Sequence, residues 1–262
     1  RPSLLVIPTM LIEGPKKFEL NNVNICKIGN LRYSYSTDKG GAGTLPKPGA
    51  ARSQFVKDAV QTIRDNPDFW GWSIGNEANN PREGEWTPEY WVSIYNEIYN
   101  QVDARLSLGA LDPFQASRGN PLDWYRTMWE GAAGAGFVAM HGYIHGPDPE
   151  LVLSEQKFTN PPLEWQYYNY VGCVTELAKY LPERFKKLKI VVEEFNHIHR
   201  GYEKNLGWTH DGSAASVVAA AYGVAVAKGL FGLAIYRWSG DEWAVESNLA
   251  VLGAVREILE GG

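Results

Sequence analysis

Three absences narrow the reading of this 262-residue chain. No apolar stretch reaches the roughly 18 residues a bilayer-spanning helix needs. The most apolar run, Ala214 to Ala227, is broken by Ser216, Tyr222 and Gly223, and reads as a helix buried against a sheet. There are two cysteines, Cys26 and Cys173, which make neither a disulfide framework nor a metal knot. No basic run is longer than Lys186-Lys187 and the net charge is −5, so nothing offers the electrostatic footprint of a nucleic-acid binder.

Motif absences are equally informative. Without a Gly-x-Ser-x-Gly elbow, an esterase triad has no anchor. The Gly-rich segment Asp38 to Gly43 lacks the Lys-Ser/Thr of a phosphate loop and follows no clear strand, so it reads as loop. His141, His145, His197 and His199 raise the idea of a metal site, but no His-Glu-x-x-His is present. Loop histidines of this kind more often donate hydrogen bonds, and neither metal nor cofactor is expected. The chain begins Arg1-Pro2-Ser3-Leu4 without a Met or a signal-peptide pattern, as if it starts inside a longer protein or has lost a leader. A soluble protein, compatible with secretion, is expected.

What the sequence has in plenty is aromatic surface. Aromatic residues make up 13%, with ten Trp and fourteen Tyr, more than a core of this size needs. Such a surplus suits a binding cleft. Short β-rich runs alternate with helical ones. Strands are expected at Leu4–Pro8, Phe69–Ile74, Leu106–Leu111, Gly136–Met140, Leu188–Val192 and Leu230–Tyr236. Helices are expected at Gln54–Arg64, from a Thr87-Pro88 cap to Val102, at Pro121–Ala133, Glu164–Phe185, Asp211–Lys228 and Val245–Leu259. The stretch Glu13 to Gly49 is polar and Gly-rich, and reads mostly as loop. Alternation without hairpin signals implies a parallel sheet in a single α/β domain covering residues 1–262.

Polar residues gather where these strands end: Asn76 and Glu77, then His141 and Tyr143, then Glu193 and Glu194, then Trp238, Asp241 and Glu242. In a parallel α/β barrel all these ends share the face where active sites are built. Two glutamates more than a hundred residues apart would then meet across one mouth. Glycoside hydrolysis needs such a pair: one carboxyl protonates the leaving oxygen, and the other, ionised, attacks the anomeric carbon or activates water. Each motif alone has a plainer reading. Asn-Glu is common at strand ends, His141 and Tyr143 could be half-buried strand residues, and a lone Trp238 is more often core. Their joint order tips the balance.

That order resembles the clan A glycoside hydrolases, retaining (β/α)8-barrel enzymes that include cellulases, mannanases and β-xylosidases. The resemblance runs from Phe55 to the C-terminus. It implies a TIM-type barrel, of which this chain displays about six β/α units. It implies that Asn76-Glu77 ends the fourth strand, with Glu77 the acid/base and Asn76 on the sugar 2-hydroxyl. His141-Gly142-Tyr143 ends the sixth strand, and Tyr143 orients the nucleophile. Glu194 in "VVEEFN" is the nucleophile at the end of the seventh, and Trp238 after the eighth is a sugar platform.

Side chains alternate across a strand, so only one of Glu193 and Glu194 can enter the mouth. Family spacing favours Glu194, with Ile190 and Val192 on its side, and leaves Glu193 to seek a partner such as Arg200 or Lys189. Two features depart from the family. Counting back from Asn76-Glu77 makes Leu4–Ile7 the third strand, so the first two β/α units and a basic residue common on the second strand are missing. Six strands cannot close an eight-stranded barrel; a fragment, self-association, or filling by Glu13–Gly49 would each answer this. Asn196 also replaces the usual Gly.

The expectation is a retaining hydrolase of a β-linked oligo- or polysaccharide. Its rivals are a carbohydrate-binding protein on a degenerate barrel, a transglycosylase using the same glutamates, and a metal-dependent hydrolase using the histidines.

Overall fold

The computed structural model describes residues 3–10, 14–18, 25–34, 43–113, 115, 117–143, 170–196, 207–210, 212–236 and 244–261. The chain divides into two compact units. An N-terminal unit comprises Pro2–Ala139 with Lys179–Lys189, and a C-terminal unit comprises Met140–Ala178 with Ile190–Gly262. No helix among the described residues is long and apolar enough to cross a membrane.

The N-terminal unit is built on a four-stranded sheet in the order β1 (Ser3–Met10), β2 (Ile25–Arg32), β3 (Gly71–Ile74) and β4 (Leu106–Leu108). Every neighbouring pair is parallel. Parallel neighbours need crossovers. Helix α1 (Ala50–Asp65) links β2 to β3, α2 (Pro88–Tyr99) links β3 to β4, and α3 (Pro121–Gly131) follows β4. Strand β2 corrects the expectation that Glu13–Gly49 is mostly loop. Seven strands are therefore present among the described residues, against the six expected.

The two faces of this sheet differ. On β3, Ser73 opposes Asn30 of β2 and Ser107 of β4. Asn30 Nδ2 donates to Ser73 Oγ at 2.8 Å, and Ser107 Oγ accepts from the Ala139 N–H at 2.9 Å. One face thus carries a buried polar row. Trp72 lies on the other, stacked on Phe69 with centroids 4.4 Å apart. Its ring fills the space over Gly29, where a Cβ would sit 2.1 Å from the indole. The helices bury apolar stripes: Phe55, Val56, Ala59, Val60 and Ile63 on α1, and Trp91, Ile94, Tyr95 and Ile98 on α2. The start of α2 follows the expected Thr87-Pro88 chemistry, and α3 starts in the same way. Thr87 Oγ1 accepts from the Tyr90 N–H before Pro88, and Asn120 Oδ1 from the Leu122 N–H before Pro121.

The C-terminal unit holds the end of β5 (Val138–Tyr143), β6 (Ile190–Asn196) and β7 (Gly232–Ile235), in the sheet order β5-β6-β7. Helices α4 (Tyr170–Ala178), α5 (Gly212–Ala227) and α6 (Leu249–Gly261) accompany them. Helix α5 is buried on one face only, through Ala214, Val217, Val218, Ala221 and Ala225. Asn248 starts α6, its Oδ1 accepting from the Val251 N–H. Parallel pairing of β6 with β7 shifts register between Val192 and Phe195, which span three steps on β6 against two from Leu233 to Ile235. This is a bulge, and Glu193 and Glu194 form it.

Candidate active site

In the N-terminal unit the chemistry gathers where β3 ends. Gly75 adopts φ 80°, and a Cβ there would meet the Trp91 ring at 2.7 Å. Its N–H donates to Leu31 O at 2.7 Å, and its carbonyl accepts from Asn30 Nδ2 at 3.2 Å. The next N–H, of Asn76, donates to Thr44 Oγ1 at 2.6 Å. Asn76 is buried, and its Oδ1 has no hydrogen-bond partner among the described residues. A buried amide oxygen of this kind is ready for a donor such as a hydroxyl.

Glu77 has φ 47°, the one positive φ of a non-glycine among the described residues. The left-handed region costs such a residue about 1–3 kcal/mol and persists only where the surroundings impose it. Here the Glu77 N–H donates to Ala110 O and its carbonyl accepts from the Asn80 N–H, both at 2.7 Å. The side chain is half-buried. At the end of β2, Arg32 is 6% exposed and its Nε donates to Asn30 Oδ1 at 2.5 Å.

In the C-terminal unit three of the expected residues come together. His141 and Tyr143, two apart on β5, share a face. Tyr143 Oη donates to Glu194 Oε2 at 3.0 Å and lies 3.0 Å from His141 Nδ1. A phenol has one proton. With that proton on the carboxylate, His141 Nδ1 must carry its own and donate it to the phenol oxygen. His141 Nε2 faces Glu194 Oε1 at 3.7 Å. The His141 side chain is 0% exposed and that of Glu194 is 13% exposed, so the carboxylate alone keeps a path to solvent.

Glu193 is buried. Strict alternation cannot choose between the two glutamates, because the bulge interrupts it. Of the two, Glu194 meets Tyr143 and His141. Phe195 packs against Trp208, whose Nε1 donates to Tyr236 O at 3.2 Å. Asn196, in place of the usual Gly, is buried, and its Oδ1 has no partner among the described residues.

Trp238, Asp241, Glu242, His145, His197, His199 and Arg200 lie outside the described residues. Lys189, the other partner suggested for Glu193, sits with its Nζ 5.8 Å from the Trp70 ring in the N-terminal unit. Sequence reasoning missed Thr44, Asn30 and Asn79, whose side chains brace the β3 end from 32 to 45 residues away or from within the turn itself. Nothing local in the sequence marks them.

No protein-family model matches the chain, and no curated protein does. Solved structures do match its fold. A GH128 endo-β-1,3-glucanase of Amycolatopsis mediterranei, in complex with laminaripentaose, aligns with 96% of this chain and 89% of its own, with a TM-score of 0.61 and 12% identity. A family 39 glycoside hydrolase from Bacteroides cellulosilyticus aligns with 93% of this chain and 53% of its own, with a TM-score of 0.57 and 14% identity. A GH128 exo-β-1,3-glucanase of Blastomyces gilchristii, in complex with glucose, covers 91% and 84%, with a TM-score of 0.53 and 15% identity. The chain therefore has an α/β fold with parallel strands that glycoside hydrolases also adopt.

Proposed function

We propose that this chain is a glycoside hydrolase that cleaves a β-linked glycan, with retention, by double displacement. The observation carrying this reading is the Tyr143–Glu194–His141 cluster at the end of β6: a carboxylate that accepts from the Tyr143 hydroxyl, lies beside the buried His141 ring and is left partly open to solvent. The fold shared with β-glucan hydrolases supports it.

In the first step a Glu194 carboxylate oxygen bonds to the anomeric carbon. The glycosidic C–O bond breaks, and Glu77 gives its proton to the departing oxygen. In the second step Glu77 takes a proton from water, whose oxygen attacks the anomeric carbon and releases Glu194. Tyr143 keeps the Glu194 carboxylate aimed. Asn76 Oδ1 accepts from the sugar 2-hydroxyl, a bond that strengthens as positive charge develops on the ring. Trp238 stacks on a sugar ring.

We propose a (β/α)8-type barrel as the frame. With β3 as its fourth strand, β1 and β2 take the second and third positions, and the first strand has no counterpart among the described residues. The laminari-oligosaccharide complexes of the GH128 neighbours make β-1,3-glucans the first substrates to try.

The test is product release from β-1,3-glucans, other β-glucans, mannans, xylans and aryl β-glycosides, with Glu77→Gln, Glu193→Gln and Glu194→Gln in parallel. Turnover lost in the Glu77 and Glu194 variants and kept in Glu193→Gln supports the assignment. Turnover lost in Glu193→Gln and kept in Glu194→Gln moves the nucleophile by one residue. Glycan binding with no turnover in any form would make the chain a carbohydrate-binding protein, and products longer than the substrate would make it a transglycosylase.

A further inference from the structure

We infer that Asn79 is a positioning residue, whose side chain holds the strained turn that sets the carboxyl of Glu77; this rests on the reading of Glu77 as proton donor. Asn79 is 1% exposed, at the far side of the turn that Glu77 opens. Its amide pairs with the backbone of Asp112 as one strand pairs with another. Asn79 Nδ2 donates to Asp112 O at 2.7 Å, and Asn79 Oδ1 accepts from the Asp112 N–H at 3.0 Å. Nδ2 also lies 3.3 Å from Gln115 O. Asn80 adds a second tie, its Nδ2 donating to Asp112 Oδ2 at 3.1 Å.

These bonds fasten the loop after β3 to the loop after β4. Between the two fastened points lies Glu77, with φ 47° and its N–H on Ala110 O, two residues before Asp112. A left-handed glutamate relaxes toward ordinary φ unless both flanks are fixed. Its upstream flank is fixed by the Asn76 N–H on Thr44 Oγ1, and its downstream flank by Asn79. Relaxation at Glu77 would swing its side chain away from the direction that the turn imposes. A proton donor displaced by about an ångström loses much of its effect, since transfer needs heavy atoms within roughly 2.6–3.2 Å.

A misplaced acid leaves a signature that a merely weakened fold does not. Proton donation matters when the leaving group is basic and hardly at all when it is already a good one. The experiment measures kcat/KM, which reports the first displacement, on a phenyl and a dinitrophenyl β-glycoside of the sugar that the wild-type chain hydrolyses. Wild type, Asn79→Ala and Glu77→Gln are compared.

General acid catalysis is worth about 100- to 10,000-fold. Asn79→Ala is expected to lose about 10- to 100-fold on the phenyl glycoside and less than about threefold on the dinitrophenyl one, a partial copy of Glu77→Gln. Equal losses on both substrates, or none, with Glu77→Gln still selective, would overturn the inference and leave the function intact. A Glu77→Gln that loses equally on both would overturn the reading of Glu77 as well. If Asn79→Ala is insoluble, Asn79→Asp decides by the same comparison. It keeps the acceptor for the Asp112 N–H, while its second oxygen turns from donor to charged acceptor against the Asp112 carbonyl, and the same selectivity is expected.

Discussion

The end of β3 fixes Glu77 through its backbone, whereas the end of β6 fixes Glu194 through its side chain. Glu77 sits in a left-handed turn whose peptide groups bond to Thr44 and Ala110, and whose Asn79 side chain bonds to the Asp112 backbone. Glu194 sits in a bulge, and its carboxylate meets a phenol and an imidazole. The difference suits the proposed roles. A nucleophile must stay aimed, and a donor hydrogen bond from a fixed side chain does this. An acid/base must gain and lose a proton in each cycle. A backbone restraint sets the direction in which its carboxyl leaves the turn.

Substitutions can break this comparison in graded ways. The largest effects belong to the carboxyls themselves. Glu194→Gln should lose turnover on every glycoside whatever its leaving group, while Glu77→Gln should lose about 100- to 10,000-fold in kcat/KM on poor leaving groups alone. Steady-state kinetics on an aryl glycoside series separates the two.

Next comes Tyr143→Phe, which removes one hydrogen bond to the carboxylate. A bond to a charged group is worth about 1.5–3 kcal/mol. We expect kcat/KM to fall about 10- to 100-fold, equally across leaving groups, without a matching fall in melting temperature.

The backbone restraint predicts an opposite pairing of activity and stability at Glu77. Glu77→Gly should abolish general acid catalysis yet leave the fold as stable or about 1 kcal/mol more stable in urea unfolding, because glycine accepts φ 47° without strain. A loss of more than about 1 kcal/mol would mean that the turn stores no strain.

The smallest effect lies away from both ends. Thr87→Ala removes the cap of α2 and should cost about 1 kcal/mol of stability with kcat unchanged.

Much of the frame was legible because it is periodic. The apolar stripe of α1 and the Thr87-Pro88 start of α2 announce themselves locally. Boundaries were less so: β3 begins at Gly71 and not Phe69, and α2 ends at Tyr99 and not Val102. Strand β2 was missed for a physical reason. Its sequence, "ICKIGNLR", carries a lysine, a glycine and an asparagine where a strand is expected to be apolar. Each answers a partner far along the chain. Lys27 pairs with Asp68, Gly29 makes room for Trp72, and Asn30 bonds Ser73.

Of the candidate site, the chain order of Asn76-Glu77, His141-Gly142-Tyr143 and Glu193-Glu194 was readable. The bulge was not, because it arises from pairing with β7. Neither was the brace from Asn79 to Asp112, two polar residues in loops with no periodic pattern.

The central claim is that Glu194, and not its neighbour, attacks the sugar. Incubation with a 2-deoxy-2-fluoro aryl glycoside slows release of the glycosyl intermediate, and peptide mass spectrometry locates the adduct. The account predicts one fluoroglycosyl group on Glu194, absent in Glu194→Gln and still formed in Glu193→Gln. An adduct on Glu193, or turnover of the parent glycoside with inversion and no adduct at all, would contradict it.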